Sequence, residues 1–229
     1  MLKKIVEKNY KWIIIFLCLI IVIMMLEDIF ENEQLKIDVF IYKLVVLNLR
    51  NQQLTALMKI VTNLASAYVL IAIAVASILF IKNKIIGISI TSNLVIVTLL
   101  NQLLKRIIQR PRPEGYRLIT ENGYSFPSGH SMASMAFYGF IIYLIWKLVK
   151  NKKIKYLETG ILGIFIFLIG FSRIYLGVHY ASDVVGGFAI SIAYLIMFTN
   201  IIKPKLQNKK EIKMINKNKF ENIKKKIKN

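Results

Sequence analysis

Both histidines of this 229-residue chain, His130 and His179, sit in short clusters of residues suited to handling a phosphate group. The first cluster is Lys105 with Arg112 and Pro113, in the form K-x6-R-P. The second is Pro127-Ser128-Gly129-His130, and the third is Ser172-Arg173 followed by His179 and Asp183, in the form S-R-x5-H-x3-D. Phosphoryl transfer needs cations around the equatorial oxygens, an in-line nucleophile and a proton for the leaving oxygen. Lys105, Arg112 and Arg173 are the candidate cations: a guanidinium offers a planar fork to two phosphate oxygens, an ammonium a point charge. His179 and Asp183 are four residues apart, so on a helix they share a face and the carboxylate can hold one ring nitrogen. The expectation is that Asp183 accepts a hydrogen bond from Nδ1–H of His179, that Nε2 attacks phosphorus, and that a phosphohistidine forms. His130 is then the acid that protonates the leaving oxygen and later the base that activates water.

Pro127 marks the start of a helix whose first backbone N–H groups lack intrahelical partners, a place where an anion fits. Gly129 lets the backbone approach a phosphate oxygen, and the Ser128 hydroxyl adds a donor. Ser134, one turn after His130, has no base near it in sequence and reads as polar packing between helices. Arg106, Arg110 and Arg117 read as cations snorkelling to an interface. Only one carboxylate accompanies the two histidines, and the cations around them repel a divalent ion, so neither a metal nor a cofactor is expected. Cys18 is the only cysteine, which excludes a disulfide framework and a cysteine metal site.

The three clusters, in this order and with apolar stretches between them, resemble the signature of the type 2 phosphatidic acid phosphatase and vanadium haloperoxidase superfamily. The motifs run from residue 105 to 183, no motif position departs from the pattern, and the apolar pattern extends the likeness over most of the chain after about residue 55. The resemblance implies the same roles for His179, Asp183 and His130, and phosphate binding by Lys105, Arg112, Ser128, Gly129 and Arg173. It also implies a membrane lipid phosphatase, with undecaprenyl diphosphate, phosphatidylglycerophosphate and phosphatidic acid as leading substrates among which the sequence does not choose. The haloperoxidase branch shares the clusters, but its site is expected in a soluble protein. Two alternatives stay open: a lipid phosphotransferase in which an alcohol replaces water, and a non-catalytic protein that binds lipid phosphates.

The elements that must position these residues are apolar. With 56% hydrophobic residues and a mean hydropathy of +0.55, the chain reads as a polytopic membrane protein of one domain, residues 1–202. Six spans are expected, at roughly 12–30, 60–81, 85–104, 130–149, 156–173 and 180–202, all helical because backbone groups in lipid must pair within their own segment. The fold class is therefore an all-α bundle. The first span could be a signal peptide, but Glu27-Asp28-Ile29-Phe30-Glu31 follows it in place of a small-residue cleavage site, which favours an anchor. With a cytoplasmic N-terminus, 22 of the 32 cations fall on the inner side, including eleven lysines from Lys203 to Lys228. The positive-inside rule then places both termini in the cytoplasm and all three clusters at the outer face.

Between the first two spans, Ile37, Phe40, Ile41, Leu44 and Leu47 recur at helical steps and predict an amphipathic interfacial helix, either lining a lateral lipid entrance or packing on the bundle. Pro111 and Pro113 end the third span, so residues 109–127 read as an outer loop with turns at Gly115 and Gly123. Gly186-Gly187 reads as a close-packing point. The net charge of +20 is concentrated in the tail 203–229, so it points to a solvated segment or a basic helix on anionic lipid and away from nucleic acid. Heavy use of Lys, Ile and Asn suggests a bacterial plasma membrane. The expected partners are a lipid phosphate and the membrane. Oligomeric state is not legible.

Overall fold

The computed structural model describes residues 2–31 and 35–206; the side chains of Lys3, Lys4 and Lys8 and the tail from residue 207 lie outside the described residues. Among the described residues eight α-helices follow one another: α1 (Leu2–Phe30), α2 (Lys36–Tyr42), α3 (Gln52–Asn63), α4 (Ala67–Phe80), α5 (Lys84–Ile108), α6 (Gly129–Leu148), α7 (Lys152–Tyr175) and α8 (Ala181–Leu206). Six stretches among the described residues are long and apolar enough to cross a membrane, with α3 and α4 together making the second. Phe16, Phe80, Leu99 and Phe167 are among many large apolar side chains left exposed on the outside of the bundle. Such a surface suits lipid rather than water.

The second span differs from expectation. Instead of one helix over 60–81, the chain enters at Gln52, breaks at Leu64–Ser66 and resumes at Ala67. The break is a tight turn, with Ala65 N–H donating to Thr62 O at 3.2 Å and Ser66 N–H to Asn63 O at 3.0 Å. It frees the Leu64 carbonyl, which accepts the Tyr138 hydroxyl of α6 at 3.0 Å, so the interruption leaves no buried orphan there. The interfacial helix also forms, but α2 passes after Tyr42 into a π-helical segment, Lys43–Asn48. Its apolar residues Ile37, Phe40, Leu44 and Leu47 are exposed, while Asp38 is buried. The last helix runs on to Leu206, with Pro204 inside it.

The core of the bundle is α6, packed against α7, α8 and α5; α1 packs on α8, α4 on α5 and α3 on α7. Phe126, Met132, Phe140, Ile169 and Tyr175 are wholly or almost wholly buried there. The glycine pair behaves as a packing point: a Cβ on Gly186 would lie 2.6 Å from the Phe126 ring, and one on Gly187 3.1 Å from the Ser128 carbonyl. This contact clamps the loop carrying the second cluster onto α8. At the opposite end of the bundle Lys11 donates to Asn200 at 2.6 Å, and Lys155 lies over the Trp146 ring at 5.5 Å. Lys11, Lys155 and Trp146 thus lie at the end of the bundle away from the three motif clusters.

Candidate active site

Three helix ends and one loop build the site. α5 ends at Gln109, which adopts a left-handed conformation (φ 50°) and turns the chain into the loop. Gly115 (φ 97°) and Gly123 (φ 74°) make its turns, as the spacing predicts. The loop returns through a cis Phe126–Pro127 bond to α6, and Ser128 caps that helix. α7 ends at Tyr175, and Gly177 (φ 73°) reverses the chain so that His179 follows Arg173 closely in space before α8 begins.

His179 is at the centre and only 3% exposed. Its Nδ1 lies 3.2 Å from Oδ2 of Asp183, and its Nε2 lies 3.1 Å from Nη1 of Arg112. A guanidinium can only donate, so Nε2 carries the lone pair and Nδ1 the proton that Asp183 accepts. Asp183 is fully buried. Its Oδ2 also accepts the Ser125 hydroxyl and, at 2.8 Å, the Tyr180 N–H. Burial is the main influence on His179 and lowers its pKa to about 4; Arg173 and Arg112 push the same way, while Asp183 opposes them.

Arg112 is clamped by carbonyls: Nε donates to Gly123 at 3.0 Å, Nη1 to Val178 at 2.9 Å and Nη2 to Asn122 at 3.0 Å. Arg173 donates through Nη1 to Thr62 Oγ1 at 2.7 Å and through Nη2 to the Glu121 carboxylate. Its Nε is buried without a hydrogen-bond partner among the described residues, a donor an incoming anion can satisfy. Glu121 also faces Arg112, at 3.9 Å. Burial works to raise its pKa, but Arg173 and Arg112 outweigh that and hold the carboxyl ionised. An internal carboxylate therefore stands between two of the expected phosphate-binding cations.

Lys105, in the last turn of α5, is half-buried and donates to the Tyr124 carbonyl. Ser128 is fully buried, and its Oγ accepts from Ser131 Oγ at 3.0 Å and from Ser131 N–H at 3.4 Å. Its oxygen thus accepts from its own helix, which leaves the hydroxyl proton free to donate, and its N–H donates to the Asp183 carbonyl at 3.0 Å. Gly129 and His130 supply the first N–H groups of α6, two donors with no intrahelical acceptor. His130 is half-buried, within electrostatic reach of Arg173, His179, Arg112 and Lys105. Ser134, expected to bond between helices, is fully buried and donates within its own helix to the Ser131 carbonyl at 3.2 Å.

Arg110 overturns its sequence reading. Far from snorkelling, it is 8% exposed and paired with Asp183 at 2.6 Å and Asp38 at 2.8 Å. Burial alone would disfavour its charge, but the two carboxylates more than offset this and hold it protonated. Sequence reasoning also missed Asp38, Thr62, Glu121, Ser125 and Ser182. Asp38 lies off the apolar face of its helix, where a charge is ordinary, and only its burial in the fold singles it out. Among the described residues no group of three or more His, Cys, Asp or Glu has a geometry for holding a metal ion. A cavity of about 590 Å³ lies between α2 and the loop, bordered by Asp38, Tyr42, Arg110, Arg112 and Tyr180.

Chemically, the arrangement offers a buried imidazole with one nitrogen held by a carboxylate and the other facing cations. The family model described as PAP2, the PAP2 superfamily, matches residues 69–206, more than half of the chain. The chain is 44% identical over 98 residues to phosphatidylglycerophosphatase B of Bacillus subtilis (strain 168), a stretch covering 41% of this chain and 47% of that protein. It is 27% identical over 196 residues to an undecaprenyl-diphosphatase of Sulfolobus acidocaldarius, covering 80% of this chain and 87% of the relative. Its fold matches the crystal structure of a transmembrane PAP2 type phosphatidylglycerolphosphate phosphatase from Bacillus subtilis with a TM-score of 0.73 and 28% identity, over 88% of this chain and 99% of the other.

Proposed function

The chain belongs to the PAP2 superfamily, and on that premise we propose that it is a membrane lipid phosphatase working through a phosphohistidine on His179. The observation that carries this reading is the pair of contacts on one buried ring, Nδ1 to Asp183 at 3.2 Å and Nε2 to Arg112 at 3.1 Å. They leave a neutral imidazole whose lone pair lies among cations.

The substrate phosphate displaces Glu121 and is held by Arg112, Arg173 and Lys105 and by the first amides of α6 at Gly129 and His130, with the Ser128 hydroxyl as a further donor. Nε2 attacks phosphorus as the P–O bond to the leaving group breaks. His130 gives its proton to that leaving oxygen, and Asp183 stabilises the phosphorylated imidazole's Nδ1–H. His130, now neutral, takes a proton from water, which attacks phosphorus. Inorganic phosphate leaves, and His179 returns to its starting tautomer. The cations do the electrostatic work that a metal does in other phosphatases, so the reaction is metal-independent in this account.

Two features support an amphiphilic substrate: the site lies at one end of the bundle beside an interfacial helix, and the relatives act, by their descriptions, on phosphatidylglycerophosphate and undecaprenyl diphosphate. The lysine distribution supports cytoplasmic termini and a site on the outer face, and the heavy use of Lys, Ile and Asn supports a bacterial plasma membrane. The test is phosphate release by detergent-purified protein from undecaprenyl diphosphate, phosphatidylglycerophosphate and phosphatidic acid, with His179→Ala beside it and chelator present. Release that survives chelation and vanishes in the variant supports the proposal. Dependence on added Mg²⁺, or release by the variant, contradicts it; transfer to an added alcohol in place of water would identify a phosphotransferase.

A further inference from the structure

Asp183 presents two oxygens to different neighbours. Oδ2 receives His179, Ser125 and the Tyr180 amide. Oδ1 receives Nη1 of Arg110 at 2.6 Å. The same guanidinium donates to Ser182 Oγ at 2.7 Å and, through Nη2, to Oδ2 of Asp38 at 2.8 Å. Asp38 closes the ring: its Oδ1 accepts the Ser182 N–H at 2.8 Å and its Oδ2 the Ser182 hydroxyl at 2.6 Å. All four residues are buried, Ser182 and Asp183 completely, and the guanidinium lies over the Tyr180 ring at 4.2 Å.

A carboxylate–guanidinium–carboxylate chain out of water gives little net stability compared with apolar packing, so a role other than stability has to account for it. Its geometry supplies one. The planar fork of Arg110 spans two carboxylates, which an ammonium cannot reproduce. One end of the chain is the carboxylate that orients His179; the other is Asp38, anchored on α2 and bonded to the first turn of α8, the helix that carries Asp183.

We propose that Arg110 and Asp38 are positioning residues for the reaction, fixing the Asp183 carboxylate and through it the His179 imidazole. The proposal rests on the phosphohistidine reading above. Neither residue touches substrate; both act through Asp183. The charged and titratable groups around His179 are Asp183 from α8, Arg112 and Glu121 from the loop, Arg173 from α7 and His130 from α6, while Arg110 and Lys105 act on it through Asp183. Asp38 reaches it from α2 through Arg110.

The two residues carry opposite charges, which gives a signature that general damage would not produce. Arg110→Gln frees Asp183 to attract a proton on His179, so the acid limb of kcat/KM moves to higher pH. Asp38→Asn leaves Arg110 to Asp183 alone and removes an anion, so the limb moves to lower pH. In the purified full-length protein, Arg110→Gln is expected to lower kcat roughly 10- to 100-fold with KM changed less than about threefold, and to raise the limb by about one pH unit. Arg110→Lys restores only part of kcat. Limbs that move together or not at all, or a kcat for Arg110→Gln within about twofold of the parent, would overturn the proposal. If Arg110→Gln does not fold, the milder Asp38→Asn decides by the direction of its shift: downward supports, unmoved or upward contradicts. His179→Ala separates the two readings. Release by that variant sinks the phosphohistidine mechanism itself, whereas an inactive His179→Ala with an unmoved limb in the other variants defeats this proposal alone.

Discussion

Arg112 donates through Nη1 to Nε2 of His179 at 3.1 Å, and this contact dictates the tautomer of the ring on which the chemistry turns. Because a guanidinium never accepts, the proton must sit on Nδ1, facing Asp183. Three loop and turn carbonyls, from Asn122, Gly123 and Val178, hold Arg112 in that pose. Lysine can satisfy only part of this set and cannot give a planar fork to phosphate. Arg112→Lys is therefore expected to lower kcat/KM by about 10²-fold or more, in protein whose thermal unfolding in detergent is little changed. Activity within a few-fold of the parent would remove Arg112 from the mechanism.

The acid side of the pH profile follows from the same ring. His179 is held at about 4, first by burial and then by Arg173 and Arg112, against the pull of Asp183. Protonation consumes the Nε2 lone pair, so activity is retained above this value and lost as pH falls through it. The free-enzyme profile, kcat/KM against pH, should show its acid limb near 4. A limb near the ordinary imidazole value of about 6.5 would mean that the ring is wetter than the structure shows.

Glu121 faces both Arg173 and Arg112, where the account places the substrate phosphate. Every incoming anion has to compete with it. Glu121→Gln removes the negative charge and keeps the shape, so inorganic phosphate should inhibit at roughly three- to tenfold lower concentration. Inhibition constants measured side by side give the answer; weaker inhibition in the variant would show that Glu121 helps to organise the cations instead.

Gly177 joins the helix bearing Arg173 to the turn bearing His179. Its φ is 73°, and a Cβ there would lie 2.5 Å from the Tyr116 carbonyl oxygen and 2.7 Å from Arg50 Nη2. Both conformation and space oppose any side chain. Gly177→Ala should lower stability by about 1–3 kcal/mol and reduce kcat as His179 shifts; an unchanged melting temperature and rate would contradict the geometry.

Apolar run length made all six spans legible, because a helix in lipid must be long and continuous in hydropathy. The break at Leu64–Ser66 was not legible, since its partner is the hydroxyl of Tyr138, on α6. In the site, Lys105, Arg112, His130, Arg173, His179 and Asp183 stood out because each has a chemical type unusual beside lipid and a motif neighbour within a few positions. Arg110 was misread for the opposite reason. Its partners Asp38 and Asp183 lie far along the chain in either direction, and without them an arginine beside a membrane interface looks like a snorkelling cation. Glu121 and Thr62 were hidden in the same way, since only the fold brings them to Arg173.

The central claim is covalent attachment of phosphate to His179, and rapid-quench trapping with a lipid substrate labelled at its transferable phosphate tests it directly. The account predicts a labelled protein that is stable to alkali, labile to acid and absent in His179→Ala. Label that never appears under conditions of measured turnover, or that maps to a residue other than His179, would contradict it.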